Sequence, residues 1–341
     1  GLAFYDKIDN AQQYVDNGKY IVQGQLNTSV RSDGSWPESI RYHVATLSKM
    51  TVFAKALRHV TGEDWFSENS AIDLSKMMRF LVNVQTPSYN GHIDVPNIGD
   101  DAMGDNTKFC VLGWYWDEVV ENDPELGQQM YETWVKAGKP VGAFGGEDNI
   151  LQNFFLNPDF EDEYEWNDDY TLDLGSTDYA APYGIYQIRN NYGTGKDSYL
   201  SFVANEYGIG HCHYDQLAFT LWHNSTPLVV DPGIESYFSS SKGMYTGTTS
   251  HATVEFQNGS GQWRNLGTTS YDRSFVPGAM LDRVQGTTDF SADEKFTRTL
   301  DYGKAGQEII VIRDQVSAAL KPTRINLPVS DEEVKLDGSR V

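Results

Sequence analysis

The spacing of apolar residues changes once along this chain, and that change limits the folds open to it. Through residues 1–140 the apolar positions recur at helical steps. Val44, Leu47, Met50, Phe53, Ala54 and Leu57 fall three and four residues apart, as one buried stripe of a helix requires. A second stripe runs through Ile72, Leu74, Met77, Met78, Leu81 and Val82, and a third through Phe109, Val111, Leu112, Tyr115, Trp116 and Val119. After Tyr183 the period falls to two. Short runs at Tyr199–Ala204, Leu217–Trp222, Pro227–Val230, Ala252–Phe256 and Glu308–Arg313, punctuated by glycine and asparagine, predict antiparallel strands. Helices followed by strands predict an α+β protein with two segregated domains rather than alternating βαβ units. The acidic, aromatic stretch Asn157–Asp173 between them reads as a solvated linker.

Composition narrows the functional classes. The 341 residues suit about two domains of roughly 150 residues each. With 39% hydrophobic residues, including 20 tyrosines and 8 tryptophans, a large core is affordable and a mainly disordered chain is excluded. No apolar run reaches membrane-spanning length. The net charge of -22 supplies no basic face, so nucleic acid is not an expected partner. Cys110 and Cys212 allow one bridge or two free thiols.

The densest chemical signal is Gly210-His-Cys-His-Tyr-Asp215, which on this reading leads straight into a strand. Alternation of side chains then places His211, His213 and Asp215 on one face and Cys212 on the other. Asp231, in Val229-Val-Asp-Pro-Gly233, and His251, in Thr249-Ser-His-Ala-Thr253, lie at the ends of neighbouring strands. Two imidazoles and a carboxylate from adjacent strands make a plausible N/N/O zinc set with a fourth position for water or another side chain. On the residues alone, these groups read equally well as ordinary hydrogen-bonded polar residues.

These three segments, taken in order with Tyr237, resemble the heparinase II/III-like polysaccharide lyases, a family related to oligoalginate lyases and dermatan sulfate epimerases. Asp33-Gly-Ser-Trp-Pro-Glu-Ser-Ile-Arg-Tyr-His43 resembles the family's loop and helix start that bear a catalytic tyrosine, and Asn97-Ile-Gly-Asp-Asp101 resembles a loop facing its cleft. The resemblance covers roughly residues 10–320. It implies an (α/α) toroid, incomplete in this chain, over residues 1–150, the acidic linker over 151–180, and a large antiparallel β-sandwich over 181–341. It implies that His213, Asp231 and His251 hold a structural zinc ion, that His211 lines the active site, and that Tyr42 acts as base, acid or both. A second family tyrosine has two candidates, Tyr237 and Tyr245. Glu38, Arg41 and His92 are expected to contact substrate.

The implied reaction is β-elimination on an anionic, uronic-acid-containing polysaccharide of glycosaminoglycan or alginate type, by an enzyme that is bacterial and secreted or periplasmic. The C5 proton leaves beside a carboxylate that is already negative, so charge must be stabilised where it develops. Because an unperturbed tyrosine has a pKa near 10, about one phenol in a thousand is ionised at neutral pH, which calls for a hydrogen-bonding or cationic neighbour. Other uses of the same residues are a uronate C5-epimerase, a zinc hydrolase and a non-catalytic glycan-binding protein. The family's carboxylate-neutralising Asn or His precedes the catalytic tyrosine by more residues than position 42 leaves. The chain is therefore expected to be the later part of a longer enzyme, with the upstream segment removed or present as a separate chain.

Overall fold

A computed structural model describes residues 2–67, 72–102, 104–141, 167, 170–179, 184–206, 210–304, 308–317 and 323–330. Most of the stretch read as an acidic linker lies outside them. The chain divides into two compact units, one made of Gly1–Val95, Gly104–Asp173 and Gly208–His211, the other of Pro96–Met103, Leu174–Tyr207 and Cys212–Val341. The first contains the five long helices and the second the antiparallel sheets.

In the helical unit, α1 spans Ala11–Ser29, α2 Ile40–Thr61, α3 Ser75–Asn83, α4 Cys110–Val120 and α5 Pro124–Lys136. The stripe read in the sequence is the inner face of α2: Val44, Leu47, Met50, Ala54 and Leu57 are all buried. Gly62 ends the helix in the left-handed conformation that favours glycine. At the start of α5, Pro124 occupies the first turn and the Asp123 carboxylate accepts from the Leu126 N–H. Helices α4 and α5 meet where Gly113 leaves room for Trp134, since a Cβ there would lie 2.5 Å from the indole.

His43 faces inward on α2. It is fully buried, with Nε2 3.0 Å from the Met77 carbonyl and its ring tilted against Phe80. Nε2 therefore carries the proton and donates it to that carbonyl. Burial depresses the pKa to about 4, and the Met77 bond only partly opposes this. Between pH 6.5 and about 4 the unfolded state binds this proton and the folded state does not, so stability falls as the pH drops through that window. The loss by the bottom of the window should reach about 3 kcal/mol. Denaturant midpoints measured against pH should fall more steeply on acidification in the wild type than in His43→Leu, and the difference between the two profiles isolates His43 from opposing groups such as Asp215, whatever the absolute stability of the variant.

The sheet unit holds twelve described strands. A five-stranded antiparallel sheet runs in the order β1 (Thr177–Tyr179), β2 (Ile185–Asn190), β3 (Ser198–Val203), β4 (Phe219–His223) and β5 (Thr226–Val229). A three-stranded sheet places β6 (Val254–Gln257) between β7 (Trp263–Arg264) and β12 (Thr323–Ile325). A four-stranded meander joins β8 (Ser270–Val276), β9 (Leu281–Ser291), β10 (Glu294–Gly303) and β11 (Ile309–Val316). Leu200, Phe202, Val254, Phe256, Val284 and Leu300, from all three sheets, share one buried apolar cluster. That shared core fixes the loops between strands, and those loops carry the polar residues described next.

Candidate functional site

Two groups of chemically capable side chains form, one within each unit. In the helical unit, Ser35 donates to the Asp33 carboxylate through both its N–H (2.9 Å) and its hydroxyl (2.7 Å), closing a tight turn. Gly34 sits in that turn at φ +85°, where a Cβ would lie 2.0 Å from the Lys76 carbonyl oxygen, so only glycine fits. Trp36, Pro37 and Glu38 then lead into α2, whose third residue is the half-buried Tyr42. The rings of Tyr42 and His211 stack with centroids 3.5 Å apart and planes within 6°. His211 Nδ1 is 3.0 Å from Glu38 Oε1, and Trp36 Nε1 donates to Glu38 Oε2 at 2.8 Å. One carboxylate is thus shared between an indole and the imidazole that covers the tyrosine.

His211 has φ +57°. A non-glycine residue in the left-handed region costs roughly 1–2 kcal/mol, so the stack and the Glu38 bond hold it where the backbone alone would not. This corrects the extended reading of residues 210–215. The segment is irregular, and the strand begins only at Phe219. Alternation across a pleat therefore does not group these histidines. His211 belongs to the helical unit, while Cys212 and His213 belong to the sheet unit.

In the sheet unit, His213, Asp231 and His251 are buried and present ligand-type atoms that all lie within 4.8 Å of one another. His251 Nδ1 is 2.7 Å from Asp231 Oδ2, and the two imidazole centroids are 5.3 Å apart. Burial alone would lower the pKa of His251; Asp231 beside it outweighs that and raises it. His213 Nε2 is 2.9 Å from Asp100 Oδ1. That contact places the ring proton on Nε2 and leaves Nδ1 as a buried lone pair with no hydrogen-bond partner among the described residues. An unpartnered imidazole nitrogen beside a second imidazole and a carboxylate suits a zinc ion, and the Asp100–His213 contact is the outer-shell bond that orients such a ligand. Asp215 adds a buried carboxylate with no side-chain hydrogen-bond partner among the described residues. Burial pushes its pKa up to about 6, with His251 opposing the rise.

The loops carrying these residues are tied together from below. Arg298 on β10 is fully buried and donates through one nitrogen to the carbonyls of Leu217 (2.8 Å) and Ala252 (2.6 Å). Its other nitrogens form a two-pronged bond with Asp314 on β11. The Thr248 hydroxyl donates to the Tyr214 carbonyl and the Thr253 hydroxyl to the Gln216 carbonyl, both at 2.8 Å. Asp231 is held by the Gly233 N–H at 3.0 Å and by Asn97, whose amide donates to the Asp231 carbonyl at 3.3 Å.

The remaining candidates are dispersed. Arg41 is half-buried beside Tyr42. His92 lies in an exposed turn whose backbone pairs with Tyr89, and its ring lies against Gly138. Tyr237 is exposed beneath the Lys242 ammonium, 4.7 Å from the ring centroid. Tyr245 ends a one-turn helix, α6 (Lys242–Tyr245), and its backbone bonds to His251. Both cysteines are free thiols. Sequence reasoning missed the pairing of Asp100 with His213 and the brace at Arg298. Nothing in local spacing links residues 113 positions apart, although an Asp pair inside an apolar loop was a usable signal.

Residues 175–321 match the heparinase II/III-like C-terminal family. No curated protein sequence matches the chain. Among solved structures it resembles a heparinase III, the BT4657 gene product, with a TM-score of 0.69 and 18% identity over 98% of this chain and 47% of that one. It also resembles the heparan sulfate lyase HepC from Pedobacter heparinus, with a TM-score of 0.66 and 14% identity over 91% of this chain and 43% of the other. A further heparinase III structure matches with a TM-score of 0.61 and 16% identity over 89% of this chain and 43% of the other. The chain thus shares their fold and spans just under half the length of each.

Proposed function

We propose that this chain, whose residues 175–321 belong with the heparinase II/III-like C-terminal domains, is the site-bearing part of a polysaccharide lyase. It would cleave a uronic-acid-containing polysaccharide, of glycosaminoglycan or alginate type, by β-elimination. In this reading the helices are part of an (α/α) toroid and the sheets part of a β-sandwich. A polymer substrate places the enzyme outside the cytoplasm, secreted or periplasmic; among the described residues no helix is long and apolar enough to cross a membrane. The observation that carries the proposal is the stacked pair of Tyr42 and His211, centroids 3.5 Å apart, within the unit that also holds Glu38.

The reaction requires a base at C5 and an acid at the departing O4. As the C5–H bond breaks, its electron pair forms the C4–C5 double bond, the C4–O4 bond breaks, and O4 takes up a proton. Tyr42 exchanges these protons: its phenolate oxygen accepts from C5 and its hydroxyl returns the proton to O4. His211 lies flat on the Tyr42 ring, where it assists the transfers and covers one face of the phenol against water. His213, Asp231 and His251 would hold a zinc ion, which when bound supplies fixed positive charge among buried carboxylates. Its role is structural: anchoring His213 restricts the backbone two residues beyond the strained His211.

Heparan sulfate, chondroitin, hyaluronan and alginate, each offered separately to the full-length protein, provide the test. At least one should yield ultraviolet-absorbing products, the mark of the new C4–C5 double bond. Folded, zinc-loaded protein that generates none on all four would sink the proposal.

A further inference from the structure

We propose that Glu38 is a positioning residue that selects the tautomer and the in-plane orientation of His211. The inference rests on the lyase reading for its catalytic consequence, but its geometry stands alone. Stacking on Tyr42 fixes the plane of the imidazole and nothing more. A half-turn about the Cβ–Cγ bond keeps that plane while exchanging Nδ1 with Cδ2 and Nε2 with Cε1, and the stack alone does not distinguish the two. The Glu38 bond does, because Nδ1 lies 3.0 Å from Oε1. A carboxylate only accepts, so the ring proton of neutral His211 resides on Nδ1 and the ring lone pair on Nε2.

Glu38 is itself aimed. Trp36 Nε1 holds its second oxygen, and its side chain is 16% exposed against 34% for His211. The carboxylate thus lies deeper than the imidazole it orients. Sequence proximity makes the device compact: Glu38 lies two residues before α2 and Tyr42 is its third residue, so the entry to α2 supplies both the proton-transfer group and the aim of its neighbour.

The test is Glu38→Ala in the full-length protein, with Glu38→Gln as the variant that restores an acceptor. Nitrogen-15 spectra of the histidines, recorded without substrate, should show the Nδ1-protonated form of His211 in the wild type, a mixture in Glu38→Ala, and substantial recovery in Glu38→Gln. In turnover, Glu38→Ala should lower kcat on the order of 10²-fold with KM within about twofold, and Glu38→Gln should restore most of it. An unchanged His211 tautomer in Glu38→Ala overturns the proposal, as does a rise in KM at constant kcat, which would mark a substrate contact. If the tautomer shifts as expected while the wild type cleaves none of the four polymers, the lyase reading fails and the positioning role stands.

Discussion

Tyr42→Phe is expected to abolish most polymer cleavage, lowering kcat on the order of 10³-fold, while thermal unfolding stays within about a degree of the wild type. The substitution removes one oxygen and keeps the ring, so the stack on His211 survives and little packing is lost. Tyr42 is only half-buried, which keeps any desolvation change small. The whole effect therefore reports proton transfer. Initial rates of ultraviolet-absorbing product, read beside a melting curve of the same preparation, separate loss of chemistry from loss of fold. Retention of more than a tenth of the rate would remove Tyr42 from the mechanism, because a phenol acting as both base and acid has no substitute in a phenylalanine ring. Replacing His211 by alanine should also reduce the rate, but it exposes the Tyr42 face and frees Glu38, so its effect mixes several losses. The phenol is the cleaner probe.

What the sequence made legible follows from which forces act locally. The stripe of α2 arises from burial on one face of the helix, and the strands after Tyr183 stand where their short runs place them, although β3 is buried along its whole length. Helix α1 lacked such a stripe because only Ala11, Val15 and Leu26 of its residues are buried. The triad of His213, Asp231 and His251 was readable because each residue sits in a short distinctive motif in a loop of the sheet unit, and the three do converge. The failure at Gly210–Asp215 has a different cause. Alternation assumes extended backbone, and His211 is held at positive φ by partners from a distant part of the chain. Glu38 illustrates the same limit: read as a candidate for sugar contact, its carboxylate is engaged by Trp36 and by a histidine 173 positions away.

Removal of metal should produce the largest change in stability. Asp231 and Asp215 are buried with His213 and His251, and Asp100 bonds to His213 from behind. Several buried carboxylates around two imidazoles and an unpartnered nitrogen are costly without a cation. If zinc is present at about a thousandfold over its dissociation constant, it adds about 4 kcal/mol to the folded state. For a domain of this size that corresponds to a melting shift on the order of 10 °C. Chelation should lower the melting temperature by that amount and zinc add-back should restore it. His213→Ala should melt near the chelated wild type and no longer respond to zinc. Asp100→Asn should still respond, but with zinc affinity weakened by roughly 10–100-fold, as for loss of an outer-shell partner. These outcomes discriminate between roles. If the chelated protein keeps its melting temperature, the three residues are a hydrogen-bonded cluster and no more. If it melts lower yet still cleaves polymer at a temperature where it remains folded, the metal is structural and Tyr42 with His211 carries the chemistry without it.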